Sequence, residues 1–171
     1  NYDFKQRYLL TVNMRTDGSP KFAENHRWGY FPSVSLGWRI SDESFFDGLR
    51  NVISNFKVRG GYGATGNADL GNRSLQAFRA RLGNPIGGQD QMAVFAAQLE
   101  NKNLKWETTK EFNLGIDYGL FKERITGSFE YYNRTVDDLL SSRALLSYHE
   151  VNSIADNIGA TTSKGFEFNA N

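Results

Sequence analysis

The sequence predicts an all-β fold, an antiparallel up-and-down transmembrane β-barrel wall segment of six strands. Three observations lead there. From Trp106 to Leu120, six of the eight even positions are apolar, and none of the odd positions is (Glu107, Thr109, Glu111, Asn113, Gly115, Asp117, Gly119). Side chains alternate sides along a strand, so this run has one apolar and one polar face. It is also about fifteen residues long, where ordinary strands run about five or six. A long two-faced strand fits a sheet with lipid on one side and water on the other. The third observation is that the links between such strands alternate in length.

The alternation recurs in order along the chain. Tyr8, Leu10, Val12 and Met14 alternate with Arg7, Thr11, Asn13 and Arg15, Leu9 being the exception. Trp28, Tyr30, Val34, Leu36, Trp38 and Ile40 alternate with Gly29, Ser33, Ser35, Gly37, Arg39 and Ser41, Phe31 being the exception. Phe56, Val58, Tyr62 and Ala64 oppose Lys57, Arg59, Gly61, Gly63 and Thr65. After the strand at 106–120 come Ile125, Phe129 and Tyr131 against Thr126, Ser128 and Glu130, then Phe166 and Phe168 against Glu167 and Asn169. The first link, 16–27, is polar; the second, 42–55, has apolar spacing that suits one or two helical turns. The third runs nearly forty residues to Lys105, the fourth is a tight turn at 121–124, and the fifth is long again, to about Ile158. With neighbours antiparallel, the first, third and fifth links share a rim. Outer-membrane barrels show this asymmetry of long extracellular loops and short periplasmic turns, which assigns those three links to the outside.

Trp28 and Trp38 lie ten residues apart on one face. At about 3.3 Å per residue and a tilt near 40° they are separated by roughly 25 Å along the membrane normal, the height of the apolar band. Trp28, Tyr30, Trp38, Trp106 and Tyr118 are therefore the candidate membrane-interface aromatics. The alternative places the tryptophans in the core of a β-sandwich, whose strands are shorter.

Composition sets bounds. The net charge of +1 leaves no nucleic-acid footprint. Mean hydropathy is −0.55, which a barrel tolerates because half of each strand faces water. No apolar run approaches a membrane helix in length. The absence of cysteine excludes a disulfide framework and a thiolate metal site. Strand pattern starts within a few residues of Asn1 and still runs at Asn171, so a fragment of a longer protein is expected.

Chemical motifs are weak. Gly61-Tyr-Gly63-Ala-Thr-Gly66 matches a dinucleotide fingerprint and follows a strand, but turn residues follow it instead of a helix, and no acidic residue stands about 20 positions on. Its glycines suit slim lumen positions or strand curvature. His26 and His149 fall in links without a second ligand at metal spacing. Asp42-Glu43 and Asp137-Asp138 are neighbours whose side chains point apart, read as solvated charges and not a general acid and base. Asn72-Arg-Ser74 and Asn133-Arg-Thr135 are glycosylation sequons by formula only. No catalytic, cofactor or metal residues are expected. Phe78 and Phe95 in the third link and Tyr148 in the fifth are the loop candidates for substrate contact, against the alternative that they pack loop on loop.

Four strings carry more than periodicity: YLLTVNMRTDGSPKFAENHRWGYFPSVSLGWRIS (8–41), FKVRGGYGATGN (56–67), LKWETTKEFNLGIDYGLFKERITGSFEYYNRTVDDLL (104–140) and NIGATTSKGFEF (157–168). In that order they resemble the SusC/RagA family of TonB-dependent outer-membrane transporters. Residues 73–100 and 141–156 match no named pattern; in that family they would be variable loops. The resemblance implies a barrel of about 22 strands, a plug in its lumen, energy from TonB, a SusD-like lipoprotein partner, and oligosaccharide or peptide cargo. On this reading residues 1–171 are part of the barrel domain, with the plug and remaining strands absent, and no enzyme activity or cofactor is implied. Apolar even-numbered residues would touch outer-membrane lipid, while Lys57, Arg59, Glu107, Glu111, Asp117 and Glu130 would face the lumen or the plug. Six strands cannot close such a barrel, and open edges in lipid leave backbone groups unpaired. The alternatives from other classes are a soluble β-sandwich that binds carbohydrate and a passive porin-type channel.

Overall fold

A computed structural model describes residues 1–69, 77–82, 92–146 and 151–171. Among the described residues there are eleven strands: β1 (Tyr2–Phe4), β2 (Tyr8–Gly18), β3 (Trp28–Arg39), β4 (Ile53–Asn67), β5 (Ala77–Leu82), β6 (Met92–Gln98), β7 (Glu107–Leu120), β8 (Ile125–Asp137), β9 (Leu140–Ala144), β10 (Ser153–Asn157) and β11 (Ala160–Ala170). Seven form one sheet in the order β1-β2-β3-β4-β7-β8-β11, with every neighbour pair antiparallel. The sheet is open at β1 and β11. The six expected strands are all in it: β2 continues past Arg15 and β8 past Asn133, while β3 stops at Arg39, short of the expected Ser41, and β7 starts at Glu107, one residue after Trp106.

The remaining four strands form two hairpins, β5–β6 and β9–β10, inside links that sequence patterning leaves as loops. Leu-Ser-Ser-Arg-Ala and Ser-Ile-Ala-Asp-Asn hold no apolar alternation. Their pairing rests on backbone hydrogen bonds at the rim and not on a greasy face, so period two is silent there. The second link does hold helical turns, but of the tighter 3-10 kind, at Ile40–Asp42 and Ser44–Leu49. The turn at 121–124 places Phe121, Lys122 and Glu123 at φ of 52°, 59° and 63°. Ser54 braces it, accepting from the Glu123 amide at 3.0 Å and donating to the Gly119 carbonyl at 3.1 Å.

The sheet has no second layer among the described residues. Buried hydrophobic residues there are Phe22, Phe31, Phe46, Leu104 and Val151, all but Phe31 outside the seven-stranded sheet. On the even face Trp28 remains 59% exposed and Phe168 70% exposed. A β-sandwich would cover that face with a second sheet; the described residues supply none.

Candidate functional site

Register builds the two faces. Tyr8 pairs with Trp38, Trp38 with Val58, Val58 with Ile116, Ile116 with Phe129 and Phe129 with Phe168. The next row is Leu10, Leu36, Gly60, Leu114, Tyr131 and Phe166. Directly paired residues share a face, so the apolar positions of six strands merge into one surface, the even face. Its members are even-numbered on every strand but β8, where the parity is reversed (Ile125, Phe129, Tyr131) and Glu130 and Arg134 join the opposite, odd face.

That surface is an oblique band. On β3 its apolar side chains reach up to Trp28, on β7 to Phe112, on β8 to Tyr131 and on β11 to Phe166. The Phe166 row meets β3 at Leu36, eight residues below Trp28 and four strands away. At about 3.3 Å per residue and about 4.8 Å per strand the upper border slopes at roughly 50° to the rows. The lower border descends the same way, from Trp38 on β3 to Ile125 on β8. Strands of transmembrane barrels tilt by about 35–45°, which levels such a band with the membrane plane. Above the border the same face turns polar: Lys110 binds Asp137 at 2.9 Å, Thr135 meets Thr162 at 3.3 Å, and Lys164 is exposed.

The odd face is polar and charge-paired. Arg59 on β4 binds Asp117 at 3.2 Å and also Glu130. Arg134 binds Glu111 at 2.7 Å. Glu107 accepts from the Leu140 amide at 2.9 Å and from the Asn67 side chain at 3.1 Å, holding the base of the β9–β10 hairpin. The Gly61–Gly66 run lies wholly within β4, between β3 and β7, so its glycines serve a strand.

The rim carrying the first, third and fifth links is elaborate. Phe22, fully buried, packs on Trp106 with ring centres 5.3 Å apart, and Phe31 meets the same indole edge-on at 5.5 Å. Phe31 departs from the alternation because its ring fills the space that side chains at Gly29 and Gly66 would take. Trp106 precedes β7, turns into this cluster and donates Nε1–H to the Arg27 carbonyl at 3.2 Å, apart from the oblique band. The β9–β10 hairpin is lashed to residues 101–105. Asn101 donates to the Ala155 carbonyl at 2.9 Å, Asn157 to those of Lys105 (2.9 Å) and Asp138 (2.7 Å), and Lys105 pairs with Asp138 at 3.0 Å.

The opposite rim centres on Glu43. Its carboxylate accepts from Tyr8 at 2.7 Å, Trp38 Nε1 at 3.2 Å and Arg7 at 3.1 Å. The Tyr8 hydroxyl first, then the Trp38 indole and Arg7, hold this carboxyl below its usual range. Tyr8 and Trp38 stack at 6.1 Å and 14°. Sequence patterning alone leaves Glu43 a solvated charge; its three donors are Arg7 just before β2, Tyr8 at the start of β2 and Trp38 near the end of β3, and only the fold brings them to it.

Of the candidate interface aromatics, Trp28 and Tyr30 lie at the long-link end of β3, and Trp38 and Tyr118 at the short-link ends of β3 and β7. Phe78 lies on β5 opposite Ala96, and Phe95 on β6 opposite Arg79. Tyr148 and His149 lie outside the described residues. Among the described residues no cluster of His, Asp or Glu is arranged to hold a metal ion.

A long antiparallel sheet with an oblique apolar belt on one face and paired charges on the other is an arc of a transmembrane β-barrel wall. The profile of the family described as "TonB dependent receptor-like, beta-barrel" matches residues 1–171. TonB-dependent receptor SusC of Bacteroides thetaiotaomicron is 38% identical over 176 residues, covering 100% of this chain and 17% of that protein. TonB-dependent receptor P3 of Formosa agariphila is 37% identical over 171 residues, again 100% of this chain and 17% of the relative. Among solved structures, the RagAB peptide importer in its closed-closed state superposes with a TM-score of 0.84 at 26% identity, covering 98% of this chain and 18% of that one. The chain belongs to the TonB-dependent receptor β-barrel family, whose SusC and RagA members are outer-membrane proteins and not enzymes. It spans 17% of the length of the curated relatives named above.

Proposed function

We propose that these residues form one arc of the barrel wall of an outer-membrane nutrient importer driven through TonB, in which the plug and the remaining strands belong to the rest of the protein. The oblique apolar band carries this reading. Placed level in a bilayer, it sets the even-numbered face in lipid, the odd-numbered face toward the lumen and the first, third and fifth links outside. Trp28 and Tyr30 then anchor the outer interface, and Trp38 and Tyr118 the inner one. Trp106 serves the outer rim's aromatic cluster instead. The wall's role is structural and conductive: it carries paired charges inward and moves cargo without changing its bonds.

The relatives named SusC and the RagAB peptide importer support a SusD-like lipoprotein partner and a cargo of oligosaccharide or peptide. Phe78, Phe95 and Tyr148 remain the candidates for cargo contact. The test uses the full-length receptor in a deletion strain. Uptake of fluorescent oligosaccharides and peptides is measured with and without a protonophore, and the tagged receptor is purified to look for a bound lipoprotein. Uptake that stops when the proton gradient is collapsed is the expected result. Uptake that continues unchanged would replace this reading with a passive channel.

A further inference from the structure

The odd-numbered face is largely a flat wall. Arg59 lies across Gly115, Asn113 across Gly61 and Tyr132 across Gly165, each side chain filling the space a Cβ at the glycine would need. A depression of about 320 Å³ lies in it, lined chiefly by Leu9, Thr11, Ser35, Lys57, Arg59 and Asn113. Gly37 keeps it open: a Cβ there would touch Leu9 and Lys57 Cε, both at 3.5 Å. Leu9, the apolar exception of its strand, gives the depression a greasy patch. Thr11 and Ser35 bring hydroxyls, and Lys57 an ammonium.

Lys57 stands opposite Arg39 on one side and Asp117 on the other. Asp117 offers both oxygens to Arg59 Nε, at 3.2 and 3.3 Å, and Glu130 holds the same guanidinium. Arg39 reaches Asp42 at 3.7 Å. Both nearby carboxylates are thus committed to Arg59, and Lys57 has no ion-pair partner among the described residues. A half-buried ammonium beside two hydroxyls and a leucine suits one ligand chemistry, a carboxylate on a short apolar stem.

We propose that this depression is a binding site for a single Asp- or Glu-type carboxylate, received by Lys57 with Thr11 and Ser35 beside it. The proposal rests on the odd-numbered face lining the barrel lumen. Two sources can supply the group: a segment of the same full-length protein held inside the barrel, or an acidic peptide passing through it.

The test is zero-length coupling on the full-length receptor in detergent micelles. A water-soluble carbodiimide condenses a carboxylate with an amine in direct contact, and mass spectrometry of the digest locates the amide bond. A Lys57 amide to an Asp or Glu outside residues 1–171 is expected and identifies the internal source. An amide formed only when an acidic peptide is added identifies cargo. Either link is lost in Lys57→Arg, which keeps the charge but does not couple. Coupling of Lys57 to Asp117 alone, or no coupling while acetic anhydride still acetylates Lys57, overturns the proposal. The face assignment is read separately in liposomes. A membrane-impermeant maleimide should label Ser33→Cys and spare Leu36→Cys; the reverse sinks the barrel reading itself.

Discussion

Arg59 on β4 reaches Glu130 on β8, two strands away, by crossing β7 over Gly115. The three residues share one row of the sheet. A Cβ at Gly115 would sit 3.0 Å from Arg59 Cζ and 3.2 Å from its Nε and Nη2, so the guanidinium occupies the place of the missing side chain. Because the paired side chains are each about one-third exposed (34% and 30%), solvent screens the pair and its own strength is modest. The packing is what a substitution disturbs.

Gly115→Val should therefore push Arg59 off its row and leave Asp117 and Glu130 without their shared cation. Overpacking of this kind costs about 1–3 kcal/mol. Urea unfolding of the full-length barrel in micelles, followed by the gel shift between folded and heat-denatured forms, measures it. A midpoint equal to wild type would show that Arg59 has another resting place.

The two faces differ sharply in what they tolerate. Leu114 lies on the even face in the middle of the apolar band, three residues from Asp117 on the odd face. Leu114→Arg should cost roughly 2–4 kcal/mol in a bilayer, and Asp117→Asn far less. Folding into phosphatidylcholine vesicles across a urea series compares them, and equal costs would reverse the face assignment.

Phe22 tests the outer rim. It is fully buried against Trp106, and Phe→Ala at such a position costs about 3–5 kcal/mol. The seven-stranded ladder is held elsewhere, so the loss should be local. Phe22→Ala is expected to raise cleavage by trypsin at Lys21 and Arg27 several-fold, with the barrel core still resistant. Unchanged cleavage would mean the cluster does not hold this loop.

Glu43 predicts an acid-sensitive girdle. Its carboxyl titrates below the usual 4.5 because Tyr8, Trp38 and Arg7 all donate to the charged form. A folded-state pKa that is depressed gives stability present above the unfolded value and lost as pH falls through the folded one. Below the ordinary carboxylate range, protonation should release the Trp38 indole from its hold and shift its fluorescence. In a variant keeping Trp38 alone, that transition should vanish with Glu43→Gln. A transition surviving in Glu43→Gln would assign it to another group.

Much of the wall is legible in the chain itself. Alternation in 8–15, 28–41, 56–65 and 106–120 specifies strands and their two faces, because a residue's side of a strand follows from its position alone. Link lengths specify which ends share a rim. The tertiary structure decided what depends on pairing between distant segments. Only register aligns Trp38, Val58, Ile116, Phe129 and Phe168 in one row and makes the band oblique. Only cross-strand neighbours explain the exceptions: Phe31 lies over two glycines to cap the rim, and Leu9 floors a depression opened by Gly37. Glu43 becomes a hub because two strand ends converge on it. Period two is a local property of the backbone and is readable from sequence; the partner across a strand gap is set by register between segments tens of residues apart, which no local pattern encodes.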